Sequence, residues 1–408
     1  FPVELDDYFV NPGIGWQDGP GAFGFAGLPG TVDYALRRDI SWSILNPREG
    51  VFDWSELDRQ LLLAKDRGNQ YSFRVYTMVG EGLGGHVMPQ WVVDKGVAFY
   101  PDGQPDYSSC VYQEEWSKFI EELVRIYDGN PDVAFIDISG YGSFNEWSWQ
   151  DLQTDWDEDW DSGYNTGTVS PDMFKTLDGQ ARRRLADMFL GGSYKGHMCR
   201  APDGSMISTD YAYGGFQKTQ LLMPFAGIAQ SSQYVYSQRK DVGVRYDSLG
   251  CDGDGVFYRV EEILSEVWKT APVAFELCNP NYLEVDDAAW LLQAARGSIV
   301  HNNNWKYGRS ALEDMMKYAG YRYFPREIQV RVDGRVLDLD MNWKNLGYAP
   351  SYPKMGQIFN LTLYLLDMKG RPVYTHIFDA DISSWMPFGS TPDLNGYRIE
   401  ESISVPDD

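Results

Sequence analysis

The chain has 408 residues, more than one ordinary core holds and enough for a large domain with a smaller one beside it. Its formal charge of −24 at pH 7, with a sequence pI near 4.5, creates a field that repels nucleic acid and anionic membrane surfaces. No run of about eighteen apolar residues is present, so a membrane span is not expected.

Phe1-Pro2-Val3 carries neither an initiator methionine nor a charged-then-apolar leader, and a processed, secreted or periplasmic protein is the expectation. Strand-like and helix-like segments then alternate. Asn11 to Trp16 reads as a first strand and Tyr34 to Arg38 as a second. Asp53 to Arg67 is helical, with Leu57, Leu61 and Ala64 at helical spacing and Gly68 as its stop. Tyr71 to Tyr76 is a third strand, and Trp116 to Tyr127 a helix burying Phe119, Ile120, Leu123 and Val124. Val133 to Ser139 is the fourth strand, followed by a helix over Met173 to Phe189 capped by Ser170 and Pro171. Met206 to Thr209 is read as the fifth strand, ending at Asp210, with a helix over Phe216 to Ala229. Val242 to Tyr246, Val273 to Phe275 and Ile299 to His301 complete the set, each followed by a helical segment. Such a series predicts an α/β fold, a closed parallel (β/α)8 TIM barrel over residues 1–320. An open doubly wound sheet is the alternative, weakened because no Gly-rich phosphate loop follows any strand.

From residue 321 the period changes to two. Ile328 to Val332 alternates, Asp333-Gly334 signals a hairpin, and Leu337 to Trp343, Ile358 to Leu366 and Val373 to Phe378 read as strands. A small C-terminal β-sandwich over residues 321–408, bracing the barrel, is expected; carbohydrate binding is its other reading.

The chemistry sits at strand ends. Glu146 closes the fourth strand-like segment and Glu276 the seventh, and the C-terminal strand ends of a barrel are where this architecture places reacting groups. Two carboxyl groups about 5 Å apart cleave a glycosidic bond by double displacement: one protonates the leaving oxygen while the other attacks the anomeric carbon. Asn145 puts a side-chain amide beside Glu146, where it could bond a sugar hydroxyl. Fourteen tryptophans and 27 tyrosines exceed what a core needs, and flat aromatic faces stack on sugars.

At these residues the chain resembles the retaining glycoside hydrolases of clan A, marked by an Asn-Glu pair ending strand four and a glutamate ending strand seven. The resemblance implies Glu146 as acid/base, Asn145 as its sugar-binding neighbour and Glu276 as nucleophile. Arg38 to Trp54 is similar to a segment of the family 42-type β-galactosidases, with Asn46 standing where that family has glutamate. Met88-Pro89-Gln90-Trp91 is similar to the Pro-x-Trp loop after strand three, and Met341 to Pro350 to the sandwich domain of bacterial glycosidase-like proteins.

Further candidates for substrate contact are Arg74, whose charge could keep the nucleophile ionised, and Tyr246, a possible hydrogen-bond partner of Glu276. Trp305 is a candidate sugar floor, and His301, Asn303, Asp210 and Asp247 end strands where they could meet hydroxyls or serve structure. Cys110, Cys199, Cys251 and Cys278 lack zinc spacing and allow three pairings; reduced thiols and disulfides stay equally open. Asp155 to Asp161 and Asp252 to Gly255 fall short of a calcium loop and read as solvated loops. The mechanism needs no cofactor and no metal, and the scarcity of histidine argues against a metal-assisted hydrolase. The expected partner is an oligosaccharide or polysaccharide. A non-catalytic carbohydrate-binding protein on the same barrel is the rival reading.

Overall fold

The computed structural model describes residues 2–17, 28–35, 40–79, 85–147, 175–225, 229–251, 264–279, 281–301, 305–354, 357–387, 389–390 and 396–406. Eight strands form one sheet in which every hydrogen-bonded pair is parallel: β1 (Gly15–Gln17), β2 (Val32–Ala35), β3 (Gln70–Phe73), β4 (Val133–Asp137), β7 (Gln220–Phe225), β8 (Gly243–Leu249), β9 (Val273–Leu277) and β10 (Ile299–His301). The order β1-β10-β9-β8-β7-β4-β3-β2 follows the chain round in one direction, as a (β/α)8 barrel requires. Its two ends meet. Gln17 Nε2 on β1 donates to Ser72 Oγ on β3 at 3.3 Å, and a Cβ at Gly30 would lie 2.0 Å from the Trp16 carbonyl oxygen, so only glycine lets β2 approach β1 there.

The fifth barrel strand differs from the sequence expectation. Met206 to Thr209 lies in β6 (Met206–Ala212), which pairs antiparallel with β5 (Ser193–Arg200) in a hairpin outside the barrel. The barrel takes Gln220–Phe225 instead, within the stretch expected to be helical. The run Leu221-Leu222-Met223 is buried on both sides, and a short apolar run of that kind has no period by which strand and helix can be told apart. The later helix begins at Ala229, and the helix over Leu177–Leu190 is capped by Thr176, whose side chain accepts from the Gly179 amide. Ser170, Asn303, Asp155 to Asp161 and Asp252 to Gly255 lie outside the described residues.

Helices cover the barrel with apolar stripes. In Cys110–Tyr127 the Ser109 cap accepts from the Tyr112 amide, and Trp116, Phe119, Ile120 and Leu123 turn inward. Trp116 packs edge-on against Trp42 with centroids 4.9 Å apart, and burial of each such side chain contributes about 2–3 kcal/mol. The narrower barrel interior holds Val32, Tyr34, Ala134, Phe135, Leu222, Ala274 and Ile299. Two disulfides resolve the cysteine pairing: Cys110–Cys199 ties the β5–β6 hairpin to a barrel helix, and Cys251–Cys278 links the chain after β8 to that after β9.

Beyond the barrel, β11 (Tyr323–Asp333), β12 (Val336–Asn345) and β15 (Tyr397–Ser404) form an antiparallel sheet, and β13 (Asn360–Leu366) pairs with β14 (Pro372–Asp381). Leu339, Met341, Phe378 and Ile403 form the core these two sheets share. Strand β15 is not among the strands expected above, although the turn dipeptide Asn395-Gly396 stands directly before it in the sequence.

The connection from β12 to β13 runs beneath the barrel. Tyr352 donates to the Trp268 carbonyl at 2.6 Å, and Lys354 donates to the carbonyl of Val133, at the N-terminal end of β4. Ala134, Phe135, Ile299 and Lys354 line a cavity of about 320 Å³ there. Burial pushes the Lys354 amine down to about 8. The folded chain therefore binds fewer protons than the unfolded chain between pH 8 and the ordinary lysine range, so this residue adds stability as pH rises through that window. Relative to Lys354→Met, wild type should gain about 2 kcal/mol of unfolding free energy between pH 7 and pH 10, read from urea denaturation. Parallel pH profiles for the two proteins would refute a buried, weakly basic Lys354.

Candidate active site

Alternation along the barrel strands turns Gln17, Tyr34, Arg74, Asp137, Arg245, Glu276 and His301 inward at one end, above the apolar layer. These are the C-terminal ends of parallel strands. Asp137, the last residue of β4, is fully buried. Its Oδ2 accepts from Tyr34 Oη at 2.6 Å, Arg245 Nε at 2.8 Å and Arg74 Nε at 3.2 Å, and forms an ion pair with Arg74 Nη2 at 3.1 Å. One carboxylate thus joins β2, β4, β8 and the continuation of β3.

Arg74 reaches further. Its Nη1 donates to Glu146 Oε1 at 2.9 Å and to the Phe144 carbonyl at 3.0 Å. Burial opposes the charge on Arg74, but Tyr34, Asp137, Tyr76 and Glu146 outweigh it and hold the guanidinium well above its ordinary range. Arg245 is also raised: burial works against it, while Asp137, Tyr34 and, more weakly, Glu276 favour the cation. Its guanidinium carbon lies 4.1 Å from the centroid of the Tyr34 ring. Burial keeps Tyr34 protonated, well above the usual tyrosine range, and therefore a hydrogen-bond donor.

Glu146 follows a short turn, Ser143–Asn145, after β4. Phe144, Asn145 and Trp147 have φ of 53°, 57° and 58°, so three non-glycine residues in the left-handed region flank it. Such residues cost on the order of 1–3 kcal/mol each and persist only where their surroundings impose them. The surroundings are specific. Asn145 Oδ1 accepts from the Gly140 and Thr77 amides and from Thr77 Oγ1, and its Nδ2 donates to the Met78 carbonyl at 2.9 Å. Gly140, at φ 102°, lies so close to Trp116 that a Cβ would come within 2.5 Å of Nε1. Trp147 donates from Nε1 to the Ile138 carbonyl at 2.9 Å.

Glu276 stands on β9 in register with His301 on β10, and Glu276 Oε2 lies 4.0 Å from His301 Nδ1. Burial, then the charges of Arg245 and Arg74, pushes His301 well below the ordinary histidine range, so this neighbour is neutral. Tyr76 is buried, and its hydroxyl is raised above the ordinary tyrosine range first by burial; Arg74 opposes the shift, and Glu146, Glu276 and Asp137 add to it. Tyr246 on β8 is buried against Phe275, ring centroids 5.8 Å apart. Trp305 meets the fully buried Trp16 edge-on at 6.1 Å.

Glu146, Glu276, Arg74 and His301 therefore converge on one polar layer, with Tyr246 and Trp305 packed at its border. Three expectations change. Arg74 bonds Glu146 and Asp137, whereas its charge was expected to serve the nucleophile. The Asn145 amide is taken up by backbone and Thr77, so it orders the turn. Asp210 is exposed on the β5–β6 hairpin, where it accepts from the Gly196 amide, because β6 is not a barrel strand. Asn46 is likewise structural: its Nδ2 donates to the Arg48 and Val51 carbonyls, and Trp91 Nε1 donates to its carbonyl.

Sequence reasoning missed Asp137, Arg245, Tyr34 and Tyr76. A signal was present, because Asp137 and Arg245 each interrupt a short apolar strand run, and a charge there points into a barrel or is not tolerated. Among the described residues no group of three or more His, Cys, Asp or Glu side chains is placed to hold a metal ion.

No family model matches the chain. Over 135 residues it is 27% identical to β-galactosidase Bga of Halorubrum lacusprofundi, a match that spans 30% of this chain and only 18% of the length of that curated relative. Xylanase 10B of Thermotoga petrophila, solved in complex with xylobiose, aligns with a TM-score of 0.35 and 10% identity over 67% of this chain and 74% of that one. The β-galactosidase of the psychrophilic Marinomonas ef1 aligns with a TM-score of 0.35 and 14% identity over 70% and 51% of the two chains.

Removing the Asp137 carboxylate leaves two buried guanidinium groups without their shared anion. Asp137→Ala should cost about 3–5 kcal/mol of stability and Asp137→Asn less, since the amide oxygen still accepts. Denaturant midpoints of the two variants test this, and a wild-type midpoint for Asp137→Ala would remove Asp137 from the centre of the network.

Proposed function

We propose that the chain is a retaining glycoside hydrolase acting on a β-linked glycoside, with Glu276 as nucleophile and Glu146 as acid/base. The observation that carries this reading is that Glu146, in the turn after β4, and Glu276, near the C-terminal end of β9, both border one buried polar layer, the first paired with Arg74 and the second beside His301. In the first step a carboxylate oxygen of Glu276 bonds to the anomeric carbon as the bond to the leaving oxygen breaks, and Glu146 gives that oxygen a proton. In the second, Glu146 takes a proton from water, whose oxygen displaces Glu276 and regenerates the carboxylate. Arg74 orients Glu146 and, through the Phe144 carbonyl, the turn that carries it. The reaction draws on no cofactor. A β-galactoside is the proposed substrate, supported by the partial similarity to β-galactosidase Bga of Halorubrum lacusprofundi.

A second reading has its own support. Asn145 is fully engaged by the protein and Arg74 pairs with Glu146, which suits a barrel that binds carbohydrate without turning it over. Hydrolysis of an aryl β-galactoside and of a β-glycan panel separates the two. Glu276→Gln and Glu146→Gln should each lower kcat/KM by about a thousandfold or more, while sugar affinity changes little. Sugar binding by wild type with no product from any glycan would establish the non-catalytic reading, and unchanged turnover in either variant would remove that glutamate from the mechanism.

A further inference from the structure

The C-terminal sheet is half covered. Register places Ile328, Val330 and Val332 of β11 beside Met341, Leu339 and Leu337 of β12, on one face. Leu339, Met341 and Ile403 are buried with Phe378 of β14, whereas Ile328, Val330 and Val332 are 43%, 53% and 68% exposed. Strand β11 is the edge of its sheet. Asp333 and Val336 close a two-residue turn, so Asp333, Arg331 and Gln329 exchange hydrogen bonds with β12. The backbone groups of Ile328, Val330 and Val332 then point to the open edge. Its beginning is blunted by Pro325 and a bulge between Pro325 and Glu327, but residues 327–333 carry no such protection.

We propose that this edge pairs antiparallel with β11 of a second copy, about a two-fold axis at Gln329, joining two three-stranded sheets into one of six strands. The charges select both the occupant and the register. With Gln329 facing its own counterpart, Ile328 pairs with the partner copy's Val330 through edge-facing backbone groups, and Glu327 faces the partner copy's Arg331, twice by symmetry. Moving the axis to Val330 sets Glu327 against Asp333, and moving it to Arg331 sets two arginines face to face. An axis at Val332 sets Arg331 against Asp333 but overlaps only residues 331–333 of the strand, so the Gln329 alignment gives the longest charge-complementary overlap. On the other face of β11, Glu327 accepts from Gln329 within the strand and Arg331 lies in register with Asp338, so both charges stand ready on the polar side.

Sedimentation velocity between about 1 and 100 μM tests the pairing. Wild type should approach twice its 46.5 kDa mass as concentration rises. Glu327→Arg and Arg331→Glu alone each place like charges opposite one another and should weaken dimerisation at least about tenfold, while the double swap restores it. Val330→Pro removes an edge-facing amide and leaves the β12 bonds intact, so it should give monomer with an unchanged melting curve. Monomer for wild type across the range, or a dimer indifferent to the charge swaps, overturns the proposal.

Discussion

The buried carboxylate of Asp137 is the constraint on which the rest of this barrel depends. Taking two guanidinium groups and a carboxylate out of water costs several kcal/mol per ion, and such an arrangement holds best where geometry is good and hydrogen bonds are complete. Here Tyr34, Arg74 and Arg245 bond Oδ2 of Asp137 from elements far apart in sequence, while Asp137 Oδ1 and both terminal nitrogens of Arg245 find no hydrogen-bond partner among the described residues. Arg74 reaches Asp137 from the continuation of the adjacent strand, but Tyr34 on β2 and Arg245 on β8 lie two strands away on either side and reach it only where the sheet is strongly curved. Barrel curvature and charge pairing are therefore coupled, and a flat sheet of the same strands would leave Arg245 without Asp137. The same geometry fixes the direction in which Arg74 can reach, and that direction leads to Glu146.

Much of this was legible in the sequence, for identifiable reasons. The period-two and helical patterns found seven of the eight barrel strands, and Glu146 and Glu276 were placed after the fourth and seventh. The fifth strand was misplaced, yet the count survived because one strand was lost and one gained between Glu146 and Tyr246. Arg74 and His301 were singled out, but their partners were not, since pairing across the barrel mouth depends on curvature of the sheet and not on local pattern. Asp137 and Arg245 passed unnoticed because one charge inside a short apolar run does little to its average hydropathy. The disulfides were unreadable for a similar reason: four cysteines give three pairings, and the fold alone brings Cys110 to Cys199 and Cys251 to Cys278.

The turn after β4 shows strain bound to position. Left-handed Phe144, Asn145 and Trp147 would relax in isolation, and Asn145 holds them by clasping Gly140, Thr77 and Met78. Side-chain amides that satisfy backbone groups in this way rigidify a loop as a strand pairing would. The residue expected to meet the ligand instead sets where Glu146 can stand, with Arg74 pinning the Phe144 carbonyl from beneath.

Charge balance links this architecture to the proposed reaction. Arg74 and Arg245 contribute two positive charges, Asp137 one negative, and His301 none. With Glu146 carrying a proton and Glu276 ionised, the layer is neutral before the first step. After it, Glu276 is an uncharged ester and Glu146 an anion, and the layer is neutral again. The observed ion pair of Arg74 with Glu146 has the form this second state needs, in which Glu146 must act as a base on water. Leaving-group protonation then asks Arg74 to lend its hydrogen bond to the Phe144 carbonyl and to Asp137, both of which it already contacts. In the proposed reaction a cation held by Asp137 would stay in place while Glu146 changes charge, and negative charge would pass from Glu276 to Glu146 with no ion crossing the barrel.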